Sequence, residues 1–374
     1  MTEAFHLRAT VLPQDVLRDV YVTAGRISFE PVAGAVTVAT SGYVLPGLVD
    51  AHAHLALASP AGDAAPASAR VRASAAEHLE SGVLAVREPG GPGRDSAGLG
   101  PAEGLPRIYS GGWFLAPPNG YFPGLAREVT DDELPDAAVA EAAASGAWAK
   151  VIGDWIDASG RPRANFSADA LAEAVRRVHA TGARFAVHAA TPVGIEAAIE
   201  AGADTIEHGL GLRDDHIASM AERDIILVPT MLAMSTALPD TGGTLRGLGW
   251  NAAAVSDVMA TIKPQADAVR RAWEAGVLVL AGTDAGMVPH GRVVDELRCL
   301  DGAGLPRIAV LGAGCWDARR FLGLPLIAEG APADLVLYDA DPRERLETLD
   351  KPLLRILDGR LVSGRVVGGG VAAR

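Results

Sequence analysis

Cysteine, lysine, basic surplus and long apolar runs are all scarce in this sequence. The 374 residues include two cysteines, Cys299 and Cys315, so at most one bridge can form and a disulfide-stapled scaffold is excluded; reduced, buried thiols are expected. Neither has the flanking histidine or the spacing of a nucleophile or zinc motif. Three lysines, Lys150, Lys263 and Lys351, leave arginine to carry nearly all the positive charge. With 33 basic against 46 acidic residues the net charge is −13, and no cluster offers the basic face that a phosphate backbone needs, so nucleic acid is not an expected partner. No window approaches about 18 uninterrupted apolar residues. The opening MTEAFHLRAT lacks a basic start followed by an apolar stretch. The expectation is a cytoplasmic protein with no membrane partner.

What is present is a large apolar fraction, 49% of the chain, enough to fill a sizeable core. The length fits two domains or one α/β barrel with additions. Residues 18–45 alternate in period two between Gly and Pro breaks (RDVYVT, RISFEP, AVTVATSGYVL), the pattern of a small β-structure. From Leu45 onward eight β-type runs follow, most trailed by Ala-rich helical stretches: GLVDAHAHL, VLAVREPGG, PRIYSGGWF, AWAKVIGDW, RFAVHAATP, ADTIEHG, IILVPTM and VLVLAGTDAG. This order predicts an α/β fold, a parallel (β/α)8 TIM-type barrel over residues 46–321. The tail is β-like again (ADLVLYDADP, LLRILDGRLVSGRVVGG), with a hairpin turn at Asp358-Gly359. Neither end has enough strands to be stable alone, so residues 1–45 and 322–374 are expected to form one discontinuous β-sandwich domain. The Gly-rich stretch 236–250, where helical pattern is weakest, is expected to be a lid or substrate loop.

His52 and His54 stand two apart on the first run, so both imidazoles can face one ion. In a chain with nine histidines such a pair is weak evidence alone. Lys150, His188, His208 and Asp284, however, each lie in or at the C-terminal end of another predicted barrel strand, where barrel active sites are built. Four histidines and an aspartate suit zinc or a similar divalent ion and exceed the needs of one tetrahedral site. A buried lysine beside metals has a depressed pKa, and its neutral amine can take up carbon dioxide as a carbamate that bridges two ions. The expected centre therefore holds two divalent ions, with His52, His54 and Asp284 on one, His188 and His208 on the other, and carboxylated Lys150 between. A metal-bridging hydroxide would attack a carbonyl, with Asp284 as proton shuttle. Tyr121, Trp113 and His290 are the substrate-facing candidates. His6, His78, His179 and His216 are expected to be solvent-facing or structural.

The segments PGLVDAHAHL, GVLAVREPGG, KVIGDW, VHAATPVGIEAAIEAGADTIEHGL, LVPTM, LAGTDAG and GAPADLVLYDADP with LDGRLV resemble the amidohydrolase superfamily, in the branch of imidazolonepropionases and Xaa-Pro (prolidase-like) dipeptidases. The resemblance implies a metal-dependent hydrolase with the barrel, composite sandwich and ligand roles just described, and Lys150 places it with binuclear members. Three segments depart from the pattern: Arg87-Glu88 replaces Arg-Asp, APPNGYFPG carries no histidine, and GAGCWDARRFLG replaces an Ala-Thr stretch. The expected reaction is cleavage of an amide bond in a small molecule such as a dipeptide or N-acyl amino acid. The alternatives are a mononuclear deaminase or imidazolone-type hydrolase, a lactonase or phosphotriesterase-like enzyme, and a non-catalytic binding module. Relatives often associate, so a homo-oligomer is open.

Overall fold

In the helix Ala168–His179, the buried side chains Leu171, Ala174, Val175 and Val178 recur at helical spacing, and the Ser167 hydroxyl accepts from the Ala170 N–H to start it. This apolar stripe covers a sheet that runs parallel because each strand is reached by such a crossover. The computed structural model describes residues 4–146 and 148–364; the part of the expected terminal unit in residues 365–374 lies outside them. Strands Trp148–Ile152, Arg184–Ala189, Thr205–His208 and Ile226–Val228 pair in parallel in that order. A second parallel group joins Leu48–Asp50, Val83–Glu88 and Arg107–Ser110. The result is a mixed α/β fold with parallel sheets.

Between the groups run shorter contacts. Ser110 bridges Gly146 and Gly91 bridges Trp113, both in parallel sense. The eighth expected strand, VLVLAGTDAG, is an extended segment without a continuous ladder. It bridges Leu227 through Val279 and Ala53 through Ala285, and the Ala51 N–H donates to the Ala281 carbonyl at 2.9 Å. Its two flanks meet different neighbours for only a few residues each, and Asp284, at φ 56°, ends the extended course.

The chain ends share an eight-stranded sheet in the order Arg360–Gly364, Leu354–Leu357, Leu335–Tyr338, Tyr43–Pro46, Phe5–Val11, Val16–Thr23, Arg26–Ser28, with Val36–Ala39 on Phe5–Val11. Phe5–Val11, passed over in the sequence, carries the buried Leu7 and Ala9. The expected hairpin is present: Leu357 pairs with Arg360 and the turn residues Asp358 and Gly359 have φ 51° and 76°. At the junction with the parallel strands, the buried Asp334 carboxylate accepts from Arg107 Nε at 2.8 Å and Arg319 Nη2 at 3.2 Å.

The segment 236–250, expected as a lid or substrate loop, is largely helical. A helix spans Leu238–Gly247, and the next, Ala252–Ile262, is capped by the Asn251 side chain accepting from Ala254 N at 2.8 Å. Leu245, Trp250, Val255 and Val258 pack with Trp155 and Met234 in one apolar cluster, and this tertiary packing overrides the poor local helix propensity of the glycines. Among the described residues, no helix is long and apolar enough to cross a membrane.

Candidate metal centre

The strand Leu48–Asp50 delivers His52 and His54 to one end of the parallel sheets. Their Nε2 atoms are 3.1 Å apart, and Asp284 Oδ1 lies 3.1 Å from His54 Nε2 and 3.5 Å from His52 Nε2. The opposite ring nitrogens are engaged: His52 Nδ1–H donates to Glu207 Oε2 and His54 Nδ1–H to the Gly90 carbonyl, both at 2.7 Å. That fixes each tautomer with a lone pair facing the partner and the carboxylate. His208 Nδ1 shares a 2.8 Å hydrogen bond with the Thr230 hydroxyl, and its ring centroid lies 4.5 Å from that of His188. His52, His208 and Asp284 offer donor atoms within 4.8 Å of one another.

Electrostatics keep these donors in the form a cation needs. Burial pushes His52 down to about 4 and His208 to about 3, so both imidazoles are neutral at pH 7. His188 is likewise driven well down by burial, with His208 adding to it. Burial acts to raise the Asp284 carboxyl, but the imidazoles of His52, His54 and His208 outweigh it and hold the group well below the usual carboxylate range. Lys150 is fully buried and its Nζ has no hydrogen-bond partner; burial, helped by Arg87 and opposed by Glu207 and Asp284, lowers it to about 8. The converging imidazole lone pairs and the Asp284 carboxylate fit a divalent cation, and the Lys150 amine beside them is left without a partner.

All six expected ligands, His52, His54, Lys150, His188, His208 and Asp284, line one cavity of about 690 Å³. The profile of the amidohydrolase family matches residues 43–369. The chain belongs to the amidohydrolase family. As such it is a hydrolase acting on carbon–nitrogen bonds. It is 42% identical over 361 residues to an uncharacterized protein of Mycobacterium tuberculosis (strain H37Rv), covering 95% of each chain. Among solved structures, a Xaa-Pro dipeptidase with bound methionine in its active site superposes with a TM-score of 0.79 at 21% identity, over 96% of this chain and 99% of that one. The ochratoxinase of Aspergillus niger superposes with a TM-score of 0.78 at 19% identity, over 98% and 97%.

Of the three substrate-facing candidates in this amidohydrolase, Tyr121 alone lines the cavity. Trp113 lies outside its lining, its backbone N–H donating to Glu141 at 3.2 Å. His290 is also outside: both ring nitrogens are engaged, with the Leu57 carbonyl at 2.9 Å and His78 at 3.3 Å. His78, on a helix, is fully buried rather than solvent-facing.

Several supporting residues escaped the sequence reasoning. Glu207 is held by Arg87 Nη2 at 3.0 Å and so anchors His52; Arg87, fully buried, also donates to the Ala51 carbonyl and stacks over Trp148. Glu88 Oε1 accepts from the Leu55 N–H at 2.7 Å, directly after His54. Asp50 accepts from His52 N and from the backbone and hydroxyl of Thr283, tying the first ligand segment to the last. Gly282 makes that tie possible: a Cβ there would stand 2.5 Å from Val228 Cγ1 and 2.6 Å from His52 Cβ. The available signal was the glutamate directly before His208 in the strand text TIEH, and the adjoining charges of VREP.

Proposed function

We propose that this amidohydrolase hydrolyses an amide bond of a small molecule with two divalent ions, zinc in the first instance, inside a closed (β/α)8 barrel formed by residues 46–321. The described parts of residues 1–45 and 322–374 form the composite β-sandwich beside it. His52, His54 and Asp284 would hold one ion and His188 and His208 the other, with Lys150, once carboxylated, as a further anionic ligand. Bound there, the ions would polarise the scissile carbonyl and lower the pKa of water toward neutral. Asp284, held well below the usual carboxylate range, would accept a proton from the attacking water and pass it to the departing nitrogen. Glu207 and the Gly90 carbonyl keep His52 and His54 turned inward, and the apolar walls exclude bulk water. The observation that carries this is the partnerless buried Lys150 amine in one cavity with four histidines and Asp284. The Xaa-Pro dipeptidase and ochratoxinase names of the solved neighbours support the choice of an amide over an ester or phosphoester.

Elemental analysis of the purified protein tests the metal count. Two ions per chain, falling to one in Lys150→Ala, are expected; one ion, unmoved by that substitution, would instead favour the mononuclear deaminase or imidazolone-type chemistry. Asp284→Asn is expected to lower kcat on a cleaved amide by about 10²–10⁴-fold. If no amide is turned over above that control, catalysis by this site is refuted and a binding module stands.

A further inference from the structure

From the donor cluster outward, the cavity wall is built from aromatic side chains in a connected series. Trp250 meets Trp155 at 5.3 Å between centroids. Trp155 meets Tyr121 at 5.5 Å, and Tyr121 meets both Phe114 at 5.6 Å and His188 at 5.7 Å. Phe114 in turn packs edge-on against His54 at 4.9 Å. Aromatic residues are 5% of the sequence, so a concentration of this size around one cavity is a local property of the site. Phe122 and Leu245 extend the same wall. Apart from the donor residues, the one charged residue in the lining is Asp63, and it is exposed. Among the described lining residues no arginine occurs, and Lys150 is the only lysine. Arg70, whose Nη1 donates to the Asp63 carbonyl at 3.0 Å, is outside the lining. The Tyr121 hydroxyl makes no hydrogen bond to the protein among the described residues, which leaves it free to meet a neutral polar group.

Against the Trp155 and Trp250 end of this wall, a carboxylate would lose its hydration with no guanidinium or ammonium to replace it, whereas a flat apolar group would gain burial and edge-to-face ring contacts. We propose that the amide substrate is a bulky, uncharged one with an aromatic or branched apolar group beside the scissile bond and no free carboxylate, in place of a dipeptide or N-acyl amino acid. This rests on the amide-hydrolase function above for its bond and on the wall alone for its selectivity.

Two compounds that differ by one carboxylate, N-acetylphenethylamine and N-acetylphenylalanine, separate the possibilities. On zinc-loaded wild-type enzyme, kcat/KM for the neutral amide is expected to exceed that for the anion by about tenfold or more. Equilibrium binding of the same pair to zinc-loaded Asp284→Asn, followed by calorimetry, should show the same order. Trp155→Ala should weaken binding of the neutral compound about fivefold or more. Equal or tighter binding of the anion overturns the proposal, and so does failure of both compounds to bind. If the neutral compound binds selectively but wild type cleaves neither, the wall is as described and it is the hydrolytic function that fails.

Discussion

Glu207 governs the metal centre without facing it. It accepts from His52 Nδ1–H while itself gripped by Arg87 and Thr205, so the imidazole has one tautomer and one orientation before any ion arrives. Glu207→Gln is expected to weaken zinc binding about 10–100-fold in a chelator competition. It should also lower the melting temperature, because the Arg87 guanidinium is left buried with less compensation. At this scale the sequence was most informative about which side chains meet in one cavity and least about what supports them. The six proposed ligands recur at the ends of separate strand-like runs, and that recurrence carried the inference. Trp113 and His290 do not line the cavity, because proximity in the chain to a loop or to Asp284 does not decide where a side chain lies. His290 turns away from the cavity to satisfy Leu57 and His78.

Single elements hold the site through close contacts that substitutions can probe. The extended segment ending at Asp284 touches His52 at Gly282, so Gly282→Ala must push the imidazole or the strand Ile226–Val228 aside. Loss of about 1–3 kcal/mol of stability, read from denaturant unfolding, is expected from such overpacking, together with reduced zinc content. The second contact is Asp334. Burial alone would raise its carboxyl, but Arg107 and Arg319 more than offset this and hold it below its ordinary 3.8. A carboxyl depressed on folding contributes stability that is full above the ordinary value and is lost as the pH falls through the folded one. The wild type should therefore lose stability on acidification below about pH 4. Asp334→Asn should be destabilised by about 3–5 kcal/mol at pH 7, with a flatter response to acid in the same unfolding series. Element type was legible where period and length agreed, as in the parallel strands with their covering helices. It was not legible in 236–250, where glycine content suggested a loop but Leu245 and Trp250 are recruited to an apolar cluster. Phe5–Val11 carries the same period-two signal, with His6, Arg8 and Thr10 alternating with buried Phe5, Leu7, Ala9 and Val11, and was passed over.

Across the whole molecule the chain ends and the parallel strands share one structural unit. Tyr43–Pro46 pairs antiparallel with Leu335–Tyr338 and passes through Gly47 directly into Leu48–Asp50. Arg319 binds the carbonyls of Gly47 and Pro325 as well as Asp334. Scanning calorimetry is therefore expected to give one cooperative transition, with no separate melting of a terminal-sheet domain. The meeting of head and tail could be anticipated from their shared β texture and from the instability of either alone. The pairing itself could not, because strand register across nearly the full length of a chain leaves no local trace.

That pairing also sets an order in time. Tyr43–Pro46 leaves the ribosome long before its partner Leu335–Tyr338 exists, so the strand that runs through Gly47 toward His52 and His54 gains its antiparallel neighbour only when nearly the whole polypeptide has been made.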